Sequence, residues 1–165
     1  WVYDSKIGRS IIGLNIVAGT GGGEGIAFGS VGLGATSSRI MLNISNGGDQ
    51  PIDVFVNETR DNDATASLNC TVPGEFIQTD AASTGVRFNG TGEGTFAFAT
   101  GIPLTAGRYN YSNYSLDYFN ASGKVDGERS KNISWLLVVP STGVGGFCEG
   151  TVSVVALANN TNATY

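Results

Sequence analysis

Ten of the fourteen asparagines in this chain stand two residues before a serine or threonine. They are Asn43, Asn57, Asn69, Asn89, Asn110, Asn113, Asn120, Asn132, Asn159 and Asn162. The side-chain amide of an Asn-x-Ser/Thr triplet is the acceptor for N-linked glycan, a bulky solubilising group on the surface of an exported protein. A Ser/Thr content of 30 in 165, applied to fourteen positions, gives about two or three such triplets by chance. The excess predicts an exported, sugar-coated surface with covalent N-glycans and no cofactor.

The second chemistry is that of sulfur. Cys70 and Cys148 lie 78 positions apart, with no CxxC and no histidine anywhere to complete a metal site. In an exported chain an even pair predicts a disulfide, the alternative being two buried thiols. Closing so long a loop would contribute about 4–5 kcal/mol in the chain-entropy model.

Other chemistries lack their residues. Without histidine there is no Ser-His-Asp or Cys-His arrangement, and no Gly-x-Ser-x-Gly or phosphate-loop spacing occurs. No enzymatic role is expected. Asp61-Asn62-Asp63 begins like a calcium loop, but Ala66 occupies the sharp-turn glycine position, so a solvated turn is expected. The acidic turn Asp126-Gly127-Glu128 reads the same way. Tyr109, Tyr111, Tyr114 and Tyr118 are read as cross-strand packing in preference to a sugar platform, because the interleaved Asn110 and Asn113 are themselves acceptors.

Charged residues are only 14% against about 25% in ordinary soluble domains. A net charge of −5 offers no basic patch for nucleic acid. No run of about 18 apolar residues predicts a membrane span. The chain opens on Trp1 with no charged-then-apolar leader, which predicts an extracellular or cell-surface protein with its signal peptide already removed.

The elements that must position these groups have an apolar period of two. In 39–45, Ile40, Leu42 and Ile44 alternate with Met41, Asn43 and Ser45. In 52–57, Ile52, Val54 and Val56 alternate with Asp53, Phe55 and Asn57. In 132–139 the inner set is Ile133, Trp135, Leu137 and Val139, which puts Asn132 and Ser134 on the polar face, while Leu136 and Val138 predict that this other face is partly covered too. Residues 151–158 make a fourth clear strand, and weaker ones are expected at 26–33, 66–72, 85–89, 95–100 and 108–118. Gly, Pro and Asn clusters separate the runs. The expected fold is all-β: a two-sheet β-sandwich of jelly-roll or immunoglobulin-like kind with an extended N-terminal strand.

Three parts follow along the chain: an extended segment at 1–18, a glycine-rich linker at 19–25 and a sandwich head at 26–165. The linker has five glycines in seven residues. An apolar strand on such a leash either pairs with the open sheet edge of a neighbour or serves as the first strand of its own domain. In the former case Trp1, Tyr3 and Ile7, or else Ile12, Leu14 and Ile16, would fill the neighbour's groove. Head-to-tail contacts of that kind do not close, and so build filaments.

The stretch IAFGSVGLGATSSRIMLNISNGGDQPIDVFV, with Asn46-Gly47-Gly48-Asp49-Gln50-Pro51-Ile52-Asp53-Val54 at its end, resembles the opening of the TasA/camelysin-like fibre proteins. WLLVVPSTGVGGFCEGTVSVV, from Trp135 to Val155, is similar to that group's closing hairpin. The triplet density resembles the donor-strand-complemented bundling pili and threads of archaea. The resemblance implies a glycosylated subunit of a helical homopolymer, its partners being identical subunits, with neighbouring filaments or cell surfaces as further partners in adhesion, bundling or biofilm. The alternative is a monomeric secreted carbohydrate-binding or adhesin module.

Overall fold

The computed structural model describes residues 12–18, 25–59, 67–89, 96–105, 109–118 and 129–159, and among these the chain is all-β. In chain order the strands are β1 (Leu14–Ala18), β2 (Ile40–Asn46), β3 (Ile52–Thr59), β4 (Ser67–Cys70), β5 (Phe76–Gln78), β6 (Gly85–Asn89), β7 (Ile102–Pro103), β8 (Tyr109–Leu116), β9 (Ser130–Val138), β10 (Cys148–Glu149) and β11 (Thr151–Ala158). They form three antiparallel sheets, ordered β1-β2-β9-β6-β7, β11-β3-β8 and β10-β4-β5. Gly150 alone separates β10 from β11, so the chain passes directly from one three-stranded sheet to the other. The result is a β-sandwich.

Alternation places the core between the sheets. Leu42 and Ile44 of β2, Ile133, Trp135 and Leu137 of β9, and Val86 and Phe88 of β6 face Ile52, Val54 and Val56 of β3 and Leu116 of β8. Each of these side chains is buried because neighbouring residues of its strand point to the opposite face. Phe88 and Trp135 are register partners with ring centroids 5.1 Å apart, a tilted aromatic pair at the centre. Three of the four strands read most clearly from the sequence, β2, β3 and β9, carry this core. The fourth, β11, occupies the expected residues 151–158 but packs against the core only with the partly buried Val152, Val154 and Ala156, and β6 occupies the expected 85–89.

Two expected strands are absent. Residues 26–33 form no strand, and Gly29 and Gly34 adopt φ of 69°, a left-handed conformation that breaks a ladder. Ile26, Phe28 and Val31 still pack on the core, and the chain then joins β9 through a bridge from Thr36 to Val138. In 95–100 a 3-10 turn at Phe98–Thr100 replaces the strand. It covers the outer face of β6, where the Arg87 guanidinium lies 4.6 Å from the Phe98 ring centre and donates to the carbonyls of Thr79 and Ala81. Burial lowers the Arg87 pKa, and nearby Asp80 opposes the shift. Ser134, expected on a polar face, is fully buried, so the outer surface of this sheet is not all solvent.

Candidate functional site

Among the described residues, β1 forms one edge of the five-stranded sheet and β7 the other. β1 pairs antiparallel with β2, from Leu14 opposite Asn46 to Ala18 opposite Leu42. Residues 14–18, read in the sequence either as a strand donated to a neighbour or as the first strand of their own domain, here pair with β2 of the same chain. The reason is local: a period-two apolar segment pairs with the nearest available edge, and β2 offers one. Leu14 packs against the core. Ile16 stands opposite the buried Ile44 and so on the inward face, yet it remains 47% exposed. Val17 is 59% exposed, and Ile12 is exposed as well. The strand is therefore paired along one side and only partly covered.

The turn after β2 receives the start of this strand. Gly47 N–H donates to the Gly13 carbonyl at 2.9 Å. A Cβ on Gly13 would lie 2.8 Å from the Gly48 nitrogen and 2.9 Å from the Gly47 carbonyl carbon, so backbone meets backbone with no room for a side chain. Asn46, buried beside this contact, holds the turn. Its Oδ1 accepts from Gly48 N–H at 2.8 Å, and its Nδ2 donates to the carbonyls of Gln50 at 2.7 Å and Asp117 at 3.1 Å. The Asn-Gly-Gly segment singled out in the sequence thus ties the two sheets together and supplies the seat for β1.

The acceptor asparagines divide by environment. Asn43 and Asn132 are register partners on β2 and β9, both half-buried. Asn43 Nδ2 donates to Asn132 Oδ1 at 3.0 Å and to Ser130 Oγ at 2.8 Å. Asn159 Nδ2 donates to Asp53 Oδ1 at 2.9 Å, and Asn57 Nδ2 lies 3.3 Å from the Glu58 carbonyl. Asn89 is also half-buried, opposite Ser134. Asn69 is exposed, alone among the six acceptors whose side chains are described. Asn110 and Asn113 lie in β8 with side chains outside the described residues. Outside the described residues altogether are Asn120, Asn162, Trp1, Tyr3, Ile7, the acidic turns at 61–63 and 126–128, and linker residues 19–24.

Cys70 and Cys148 form a disulfide across the β4–β10 pair. Both half-buried sulfur residues pack against the core, on the face opposite Asn69. No helix among the described residues is long and apolar enough to cross a membrane.

No family model matches the chain, and no curated protein matches it. Among solved structures it is similar to a chain of the CsuC–CsuE chaperone–tip adhesion subunit pre-assembly complex from the archaic chaperone-usher Csu pili of Acinetobacter baumannii, at 13% identity and a TM-score of 0.47. That match covers 88% of this chain and 39% of the other.

Proposed function

We propose that this protein is a structural subunit of an extracellular, glycan-bearing filament in which β1 of one copy takes the place beside β2 of the next. The role is mechanical and calls for no catalytic group or cofactor. The observation that carries it is β1 itself: an apolar edge strand followed by a glycine-rich stretch, paired with β2 and leaving Ile12, Ile16 and Val17 about half exposed. A strand docked this way is exchangeable, because a neighbour's β1 makes the same contacts.

Self-pairing has an advantage that exchange must overcome. A flexible tether presents β1 to its own β2 at an effective concentration in the millimolar range. Covering three half-exposed apolar side chains at a subunit joint would contribute roughly 2–4 kcal/mol, or on the order of a hundredfold in the equilibrium. That is the right size to favour polymer at high local subunit density. The disulfide and the acceptor triplets support an exported setting. The resemblance to the TasA/camelysin-like fibre proteins and archaeal donor-strand pili supports the same assembly.

The competing reading, a monomeric secreted binding module, is favoured by β1 lying in its own sheet. Size-exclusion chromatography and electron microscopy of the full chain, beside a Leu14→Asp, Ile16→Asp variant, separate the two. A filament subunit polymerises and the variant stays a soluble monomer. A binding module is monomeric in both forms, and only its stability falls.

A further inference from the structure

We infer that Asn69 is a glycan-acceptor site with a built-in stacking platform, the ring of Phe76 lying under the first sugar. The inference rests on the exported, glycan-bearing reading above. In β4, Asn69 stands directly opposite Phe76 of β5 on one side and Glu149 of β10 on the other. Directly opposed residues of an antiparallel pair share a face, with Cβ atoms about 4.5–5.5 Å apart. Both Asn69 and Phe76 are exposed, Phe76 to 50%.

The neighbouring cysteine does not crowd the acceptor. Successive side chains alternate across a strand. Cys70 therefore turns to the core side, where it bonds to Cys148, and Asn69 turns outward. Thr71, which completes the triplet, is also exposed, and its Oγ1 accepts the Phe147 N–H at 3.2 Å. In the transfer, Asn69 Nδ2 bonds to the anomeric carbon of a sugar carried on a phosphate-activated lipid. The phosphate leaves with the bonding pair of the broken C–O bond, and the amide nitrogen gives up one proton.

An exposed phenylalanine is otherwise a poor choice at this place. With Val72 and Phe147, also exposed, Phe76 leaves apolar surface around the disulfide. The electron-rich face of an aromatic ring attracts the polarised C–H bonds on the flat side of a pyranose. A sugar fixed to Asn69 is held over the ring by the sheet itself, so little further ordering is needed.

The test uses the full chain from an N-glycosylating host, as wild type, Asn69→Gln, Phe76→Ala and the double variant, with the same set made without glycosylation. Glycopeptide mapping should find Asn69 occupied. Asn69→Gln should lower Tm by about 2–4 °C in the glycosylated wild-type background. That loss should vanish in the Phe76→Ala background and be absent from the unglycosylated set. Proton NMR should show upfield ring-current shifts on the first sugar that Phe76→Ala abolishes. A bare Asn69 beside sugar at other triplets overturns this inference alone, as does an equal Tm loss in both backgrounds. A protein bare at every triplet overturns the glycan-bearing reading and this inference with it.

Discussion

Gly13 and Gly47 meet backbone to backbone, the Gly47 N–H donating to the Gly13 carbonyl at 2.9 Å, and this contact seats the terminal strand of the sandwich. Any Cβ on Gly13 runs into main-chain atoms of Gly47 and Gly48, which cannot swing aside as a side-chain tip would. Gly13→Ala should therefore destabilise β1 docking by about 1–3 kcal/mol, whichever copy supplies the strand. Gly25→Ala is the control, since a Cβ there meets nothing within 4 Å; it should leave stability unchanged or raised by about 0.4–1 kcal/mol. Urea unfolding midpoints read both, and equal midpoints for the two variants would show that β1 is not seated on this turn.

Asn43 and Asn132 are predicted to compete as acceptors. Their side chains bond to each other in the middle of a sheet, and both Asn43 Nδ2 protons are engaged. Intact-protein and glycopeptide mass spectrometry should find sugar on one or neither, never on both in the same molecule. Asn43→Ala should cost about 1–2 kcal/mol through the lost hydrogen bonds, independent of glycosylation. Molecules carrying sugar at both positions would mean that this cross-strand bond does not survive in the native protein.

The centre of the core makes a graded prediction. Trp135 is fully buried against Phe88, and its indole Nε1 has no hydrogen-bond partner among the described residues. Trp135→Phe therefore loses volume but no hydrogen bond and should cost about 1–2 kcal/mol, whereas Trp135→Ala should cost about 3–5 kcal/mol. Equal losses would point to a bond through Nε1.

Removing the disulfide with Cys70→Ser and Cys148→Ser should lower stability by about 2–4 kcal/mol, because the bridge closes a loop of 78 residues. Assembled filaments should withstand mild reduction, since Cys70 and Cys148 are joined within one chain. Reductant that dissolves filaments into subunits would place the bond between chains.

The core was legible because its signal is periodic: Leu42, Ile44, Ile52, Val54, Val56, Ile133, Trp135 and Leu137 recur at every second position of their strands, and all are buried. The disulfide was legible from compartment and parity. What escaped was decided by contacts between distant segments. Residues 26–33 alternate only in part, Ile26 and Phe28 being out of phase with Val31 and Leu33, and Gly29 and Gly34 and the approach to β9 turn them into an irregular strap. Ser134 reads as polar surface beside Asn132, and although Leu136 and Val138 of the same strand point to partial cover of that face, the segments that supply it lie elsewhere in the chain. Asn69 is followed directly by Cys70, and only the alternation of the strand, once paired, shows that the two side chains point opposite ways. The pairing of β1 was balanced between two partners in the sequence because self-pairing and exchange use the same residues.

That balance is tested most directly by a covalent trap in the β1–β2 register. Asn15 of β1 stands opposite Ser45 of β2, so a chain carrying Asn15→Cys and Ser45→Cys forms a cross-strand disulfide wherever the two strands pair. Oxidised at filament-forming concentration and run on a non-reducing gel in denaturant, with the new bond located by peptide mapping, it should give a ladder of covalent multimers. Each step would join Asn15→Cys of one copy to Ser45→Cys of the next. A single monomer band at every concentration, with both new cysteines bonded within one chain, would contradict strand exchange.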